Sequence, residues 1–203
     1  HLKKVIDLKR EEASLLSPSG DLYDGLINDY EFGMTKKETS SIFEKMKPRL
    51  LDLRQRISEA KLSKPELEGD FNTEKQLKPA HEIAETFFYD FDRGRIDIVA
   101  HPFCSGGGDD VRITTRVDNK DPFNCLYSTI HEVGHACYEQ NVSLEFLHSP
   151  LGSGVSLGIH ESQSRIFENQ IGRSRQFTRW LFKKMKSYFG CLLYTSDAAD
   201  DVV

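Results

Sequence analysis

A mainly α-helical protein with one small antiparallel sheet is the fold class this sequence predicts. Three observations predict it. Most of the chain places apolar residues at helical spacing. Only residues 95–100 and 110–116 alternate and are rich in β-branched side chains, as strands are. The pentapeptide His131-Glu132-Val133-Gly134-His135 lies inside one of the helical stretches, with the two strands just before it.

Taken in order, residues 2–17 predict a helix whose apolar positions are Leu2, Val5, Ile6, Leu8, Leu15 and Leu16, ended by Ser17-Pro18-Ser19-Gly20. Thr35-Lys36-Lys37-Glu38 is a capping box that starts a second helix, with Ile42, Phe43 and Met46 on one face. Pro48 should kink or restart it before Leu50, Leu51, Leu53 and Ile57. The polar stretch 61–72 reads as a connection. A third helix is expected over 73–89, with Ile83, Phe87 and Phe88 on its apolar face. The two strands follow, joined through His101-Pro102-Phe103 and the glycines 106–108. Asp121-Pro122 supplies an N-cap and a first-turn proline for the next helix, whose apolar face is Leu126, Tyr127, Ile130, Val133, Gly134 and Cys137. A turn at 149–154 then leads into one long helical stretch over 155–188.

Composition narrows the function. The 203 residues can bury one substantial core, and 38% hydrophobic with 29% charged residues describes a polar globular chain. A net charge of −5 without a basic block gives no reason to expect nucleic acid as a partner, and no apolar run reaches membrane-spanning length. Cys104, Cys125, Cys137 and Cys191 lack zinc-knuckle or C-x-x-C spacing and read as reduced thiols, which suits a cytoplasmic setting. The chain begins at His1, already within a helical pattern, so the lack of a signal peptide says little. Residues 191–200 read as a translated sequencing adapter. Residues 191–203 are therefore expected to be a non-native tail, and 1–190 an internal piece of one catalytic domain.

The chemistry concentrates in the H-E-x-x-H box. Residues four apart share a helical face, so His131 and His135 can offer imidazole nitrogens to one metal ion. Glu132 then stands where it can act on an activated water as general base. A catalytic zinc takes three protein ligands and keeps a fourth position open, so a third ligand must lie elsewhere. The distal histidine of the longer zincin motif is absent, since Asn141 stands there. Glu145, Glu161 and Glu168 are the candidates. Glu145 leaves the chain little room to fold back, and Glu161, 26 residues after His135, leads Glu168 by a small margin on spacing. Glu139 could support the site from the same helix.

Five motifs in order carry a family resemblance: His101-Pro102-Phe103, Asp110-Val111-Arg112-Ile113-Thr114, the H-E-x-x-H box, His160-Glu161-Ser162-Gln163 and Ile171-Gly172-Arg173-Ser174. From His1 to about Phe189 the chain resembles the carboxypeptidase Taq family of zinc metallocarboxypeptidases. The resemblance implies a helical, zincin-like peptidase with a long cleft, and it puts the third ligand at Glu161. It implies one Zn2+ per chain, with Co2+ or Mn2+ as expected substitutes. The substrates would be peptides with a free C-terminus and the full-length protein a homodimer. Family members are more than twice this length, so the chain is expected to be a fragment with little activity of its own.

Each remaining residue has a plain reading beside the functional one. His101 closes a turn or lines the cleft, the second following from the resemblance. Asp110 and Arg112 form a surface ion pair, or serve the site as support and substrate contact respectively. His160 is a satisfied buried histidine or hydrogen-bonds a ligand or substrate oxygen. Arg173 binds a carboxylate or supports a helix end. Gly106-Gly107-Gly108 lacks the lysine and helix of a phosphate loop and reads as a flexible turn. Two rival functions stand beside the carboxypeptidase: a helical zinc endo-oligopeptidase and a non-catalytic zinc-binding module. Glu132 argues against the second, because a structural site needs no such carboxylate.

Overall fold

The structure, a computed structural model, describes residues 1–17, 19–60 and 69–190. The 191–203 tail, most of the 61–72 connection and Pro18 lie outside the described residues. The chain divides into two units, His1–Lys64 with Val155–Leu157 and Pro65–Gly154 with Gly158–Val203.

The first unit is helical. Helix α1 spans Leu2–Leu16, α2 Leu22–Ile27 and α3 Lys36–Glu59. The predicted capping box opens α3: Thr35 Oγ1 accepts from the Glu38 amide at 3.2 Å, and Glu38 Oε2 accepts from the Thr35 amide at 3.0 Å. The helix runs through Pro48 rather than restarting there. A proline costs one hydrogen bond and a local clash, and long helical flanks can carry that. Helix α3 buries none of its side chains, and Ile42, Phe43, Met46, Leu50, Leu51, Leu53 and Ile57 are all exposed.

The second unit holds the core. Helix α4 spans Thr73–Thr86 and ends three residues earlier than expected. Its end is a Schellman motif. The Tyr89 amide donates to Ala84 O and the Phe88 amide to Glu85 O, with Phe88 at φ 68°. That reversal turns Phe87 and Tyr89 inward, whereas Phe88, expected on the apolar face, is 87% exposed.

The sheet corrects the strand expectation. Strands β1 (Ile96–Ile98), β2 (Cys104–Gly107) and β3 (Asp110–Thr115) pair in the order β1-β3-β2. The two predicted strands run parallel, Ile96 opposite Ile113, and not antiparallel. The antiparallel partner of β3 is the stretch read as a flexible turn, with Cys104 opposite Ile113 and Gly107 opposite Asp110. Gly106 makes that hairpin feasible: at φ 108° it lies beside the Asp110 backbone, where a Cβ has no room. The first strand must then reach the other edge of β3 through 99–103, which fixes the parallel sense.

Helix α5 (Pro122–Gln140) starts as predicted. Asp121 accepts from the Phe123 and Asn124 amides, and Pro122 fills the first turn. Cys125, Leu126, Ile130, Val133, Ala136 and Cys137 bury its inner face against α4 and β3. The expected long helix over 155–188 is broken. Helix α6 covers Leu157–Arg165, a π-helical turn covers Ile166–Ile171, and α7 covers Arg175–Phe189, capped by Ser174 on the Phe177 amide. Leu181 and Met185 of α7 complete the core.

Candidate metal centre

Helix α5 places His131 and His135 one turn apart, with ring centroids 4.9 Å from each other. Their outer face meets the second half of α6 and the π-turn after it. The approach is close because residue 134 is glycine: a Cβ there would lie 2.5 Å from Ser164 Cα and 3.0 Å from Ser164 N. Glu161, three residues before Ser164, thereby reaches the histidines. Its Oε2 is 3.2 Å from His135 Nε2 and 3.8 Å from His131 Nε2. One nitrogen from each ring and one Glu161 oxygen lie within 4.8 Å of one another, a set able to hold a metal ion.

Both outer ring nitrogens are occupied. His131 Nδ1 is 2.9 Å from Glu168 Oε2, and His135 Nδ1 is 2.9 Å from His160 Nδ1. Those contacts leave each Nε2 turned toward Glu161, as ligation requires. His160 Nε2 is buried and lies 2.9 Å from Glu139 Oε1. Glu161 Oε1 accepts from Arg165 Nε at 2.7 Å, while Oε2, which also accepts from Ser164 Oγ at 3.3 Å, faces the cluster.

The electrostatics suit metal binding. Burial, then the positive charges that His160 and His131 would carry, lowers His135 to about 4, so the ring is neutral near pH 7. Burial pushes Glu161 and Glu168 upward, yet hydrogen bonds and electrostatic attraction from their neighbours overcome it. Arg165 leads for Glu161, Arg173 and His131 for Glu168, and both carboxyls end below the usual range. Glu132 behaves oppositely. It is 6% exposed, and burial, reinforced by Glu161 and Glu168, raises it to about 7.

Glu132 and His131 line two cavities. The larger, about 610 Å3, also takes in His101, Arg116, Asn124, Tyr127, Arg165, Glu168 and Arg173. The smaller, about 340 Å3, adds Phe103, Cys104, His135 and His160. Arg173 donates to Glu168 and lies 4.2 Å over the Tyr127 ring. Asp110 and Arg112 are placed differently: they form a two-bond ion pair at 2.8 Å on the exposed face of β3 and line neither cavity. Sequence reasoning missed Tyr127 and Arg165. Both carried a signal, since Tyr127 precedes His131 by one helical turn and Arg165 follows Glu161 by one.

Comparison with known proteins decides the family. The sequence model of the carboxypeptidase Taq (M32) metallopeptidases matches residues 1–200. The chain belongs to the carboxypeptidase Taq metallopeptidase family. It is 40% identical to thermostable carboxypeptidase 1 of Thermus thermophilus, over 95% of this chain and 40% of that protein. It is 35% identical to carboxypeptidase 1 of Bacillus subtilis, over 92% and 38%. Among solved structures, the carboxypeptidase of Deinococcus radiodurans R1 matches with a TM-score of 0.84 at 43% identity, over 92% of this chain and 38% of that one. Metallocarboxypeptidase 1 of Trypanosoma cruzi matches with a TM-score of 0.81 at 35% identity, over 98% and 43%. The chain thus spans about two fifths of the length of the curated relatives it matches. Membership of the carboxypeptidase Taq metallopeptidases implies a divalent metal, and two imidazoles with one carboxylate form a donor set that fits one.

Proposed function

We propose that this chain carries the zinc centre of a metallocarboxypeptidase that removes C-terminal residues from peptides. His131, His135 and Glu161 would hold one Zn2+, for which Co2+ or Mn2+ would substitute. The observation that carries the reading is Glu132, a carboxyl buried beside the donor cluster and raised to about 7. A structural metal site has no use for such a group; a hydrolytic one does. The names of the relatives support the reaction class.

When bound, zinc would supply Lewis acidity toward water and the scissile carbonyl. Glu132 would take a proton from the attacking water and return it to the leaving amine. Arg165, which donates to Glu161, would keep that donor in place. His101 and Arg173 line the larger cavity with Glu132, where a peptide would lie. The full-length protein is proposed to be a cytoplasmic homodimer, with residues 1–190 forming part of one catalytic domain.

The test uses the full-length parent on N-blocked peptides, with and without chelator. Stepwise loss of C-terminal residues, abolished by chelation and restored by zinc, is expected. Glu132→Gln should keep zinc and lower kcat by about 10²–10⁴-fold. Internal cleavage would favour an endo-oligopeptidase, and undiminished activity without metal would end the zinc mechanism.

A further inference from the structure

Glu168 stands out as a half-buried carboxylate beside the cluster with no role yet assigned. Its side chain is 15% exposed, and both oxygens are engaged. Oε2 meets His131 Nδ1 at 2.9 Å and Arg165 at 3.3 Å, and Oε1 meets Arg173 at 3.0 Å. Arg173 is itself fixed, donating to Asn169 at 3.2 Å and covering the Tyr127 ring.

We propose that Glu168 is a positioning residue: it holds His131 with Nδ1 protonated and Nε2 presented to the metal, without binding the metal itself. The inference rests on the His131–His135–Glu161 cluster being the metal centre.

The geometry divides the carboxylates of α6 and of the π-turn between the two nitrogens of one ring. Glu161 faces His131 Nε2 and Glu168 faces Nδ1. A carboxylate accepts but does not donate, so a neutral His131 facing Glu168 must carry its proton on Nδ1. The lone pair is then left on Nε2, toward Glu161. Oriented carboxylate partners of this kind raise the basicity of a ligating imidazole.

The local fold is shaped for the contact. Glu168 sits in the π-helical turn Ile166–Ile171, which the Gly172 amide closes on Phe167 O at 2.8 Å. Glu168 lies two helical turns beyond Glu161, on the same side, and π-turns gather at functional sites. The second histidine has no such anion at Nδ1; its partner there is His160. Of the two outer contacts, the charged one is therefore behind His131.

The rival reading is that Glu168 only ties Arg165 to Arg173. Zinc affinity of the 203-residue chain separates the two, measured by competition with a chromophoric chelator for wild type, Glu168→Ala, Glu168→Asp and Arg173→Gln. Glu168→Ala should raise Kd about 10–100-fold with the helical circular dichroism retained. Glu168→Asp should recover part of that loss, and Arg173→Gln should cost less than Glu168→Ala. An unchanged Kd in a folded Glu168→Ala would overturn the proposal. Should that variant not fold, 15N NMR of the metal-free wild type decides. His131 protonated on Nδ1 supports the proposal, and the Nε2–H tautomer overturns it. Absence of zinc binding by the wild type would instead bring down the metal centre and this inference together.

Discussion

Burial penalises charge of either sign, and two neighbouring residues display both consequences. Folded Glu132, raised to about 7, keeps a proton that the unfolded chain releases above its ordinary 4.5. In the metal-free protein this makes stability fall as pH rises from about 4.5 to about 7. His135 is the mirror case. The unfolded chain gains a proton below about 6.5 that the folded ring refuses until about 4, so stability rises with pH over that interval. Each effect amounts to about 3 kcal/mol, and over pH 4.5–6.5 they oppose each other. Metal-free Glu132→Gln should lose the first slope and keep the second. Urea melts in chelator should show it gaining about 3 kcal/mol on wild type between pH 4.5 and pH 7. Parallel pH profiles for the two proteins would remove Glu132 as a proton-holding buried carboxyl. At this scale the sequence shows its local chemistry well. Histidines four apart share a face whatever surrounds them, so their juxtaposition was legible. The partner of His131 Nδ1 was not: Glu168 stood among the candidate ligands, and spacing alone does not say which ring nitrogen a carboxylate will face.

Among the elements, capped helix starts were the most legible. Thr35 with Glu38, and Asp121 with Pro122, satisfy helix ends from within a few residues, so the signal is complete in the sequence. Pairing in the sheet was not legible, since alternation marks a strand without naming its neighbour. The glycines that looked like a turn supply the antiparallel strand, and the two alternating segments lie parallel. The break within 155–188 was hidden for a similar reason: apolar spacing continues across the π-turn. The closest dependence of the site on an element is the approach of α6 to α5 at Gly134. Alanine is the better helix former, so any loss from Gly134→Ala belongs to packing. The added Cβ meets the backbone of Ser164, which has no rotamer with which to yield. Gly134→Ala should cost about 1–3 kcal/mol in urea melts and weaken zinc binding, as α6 and Glu161 are pushed away. Equal stability and equal zinc affinity would show that the helices do not need this contact.

For the whole molecule, the chain covers about two fifths of its curated relatives' length. Within the first unit, α3 leaves seven large apolar residues in water and buries none. A peptidase cleft also needs walls that orient the substrate, and small misplacements there cost on the order of 10² in rate. The 203-residue chain should therefore bind one zinc per molecule yet turn over peptides at less than about one hundredth of the rate of a full-length relative. Side-by-side zinc titration and peptide assays measure both quantities. Comparable rates would mean that residues 1–190 hold the complete machinery.

The metal donors and their outer partners share one further property. His131, Glu132, His135, Glu139, His160, Glu161, Arg165, Glu168 and Arg173 all fall in one uninterrupted passage of the chain, from the middle of α5 to the turn before α7. The centre is consequently inherited as a block: exchange or deletion of sequence outside that passage leaves every donor encoded, while one cut between Gln140 and Leu157 divides the histidines from their carboxylates.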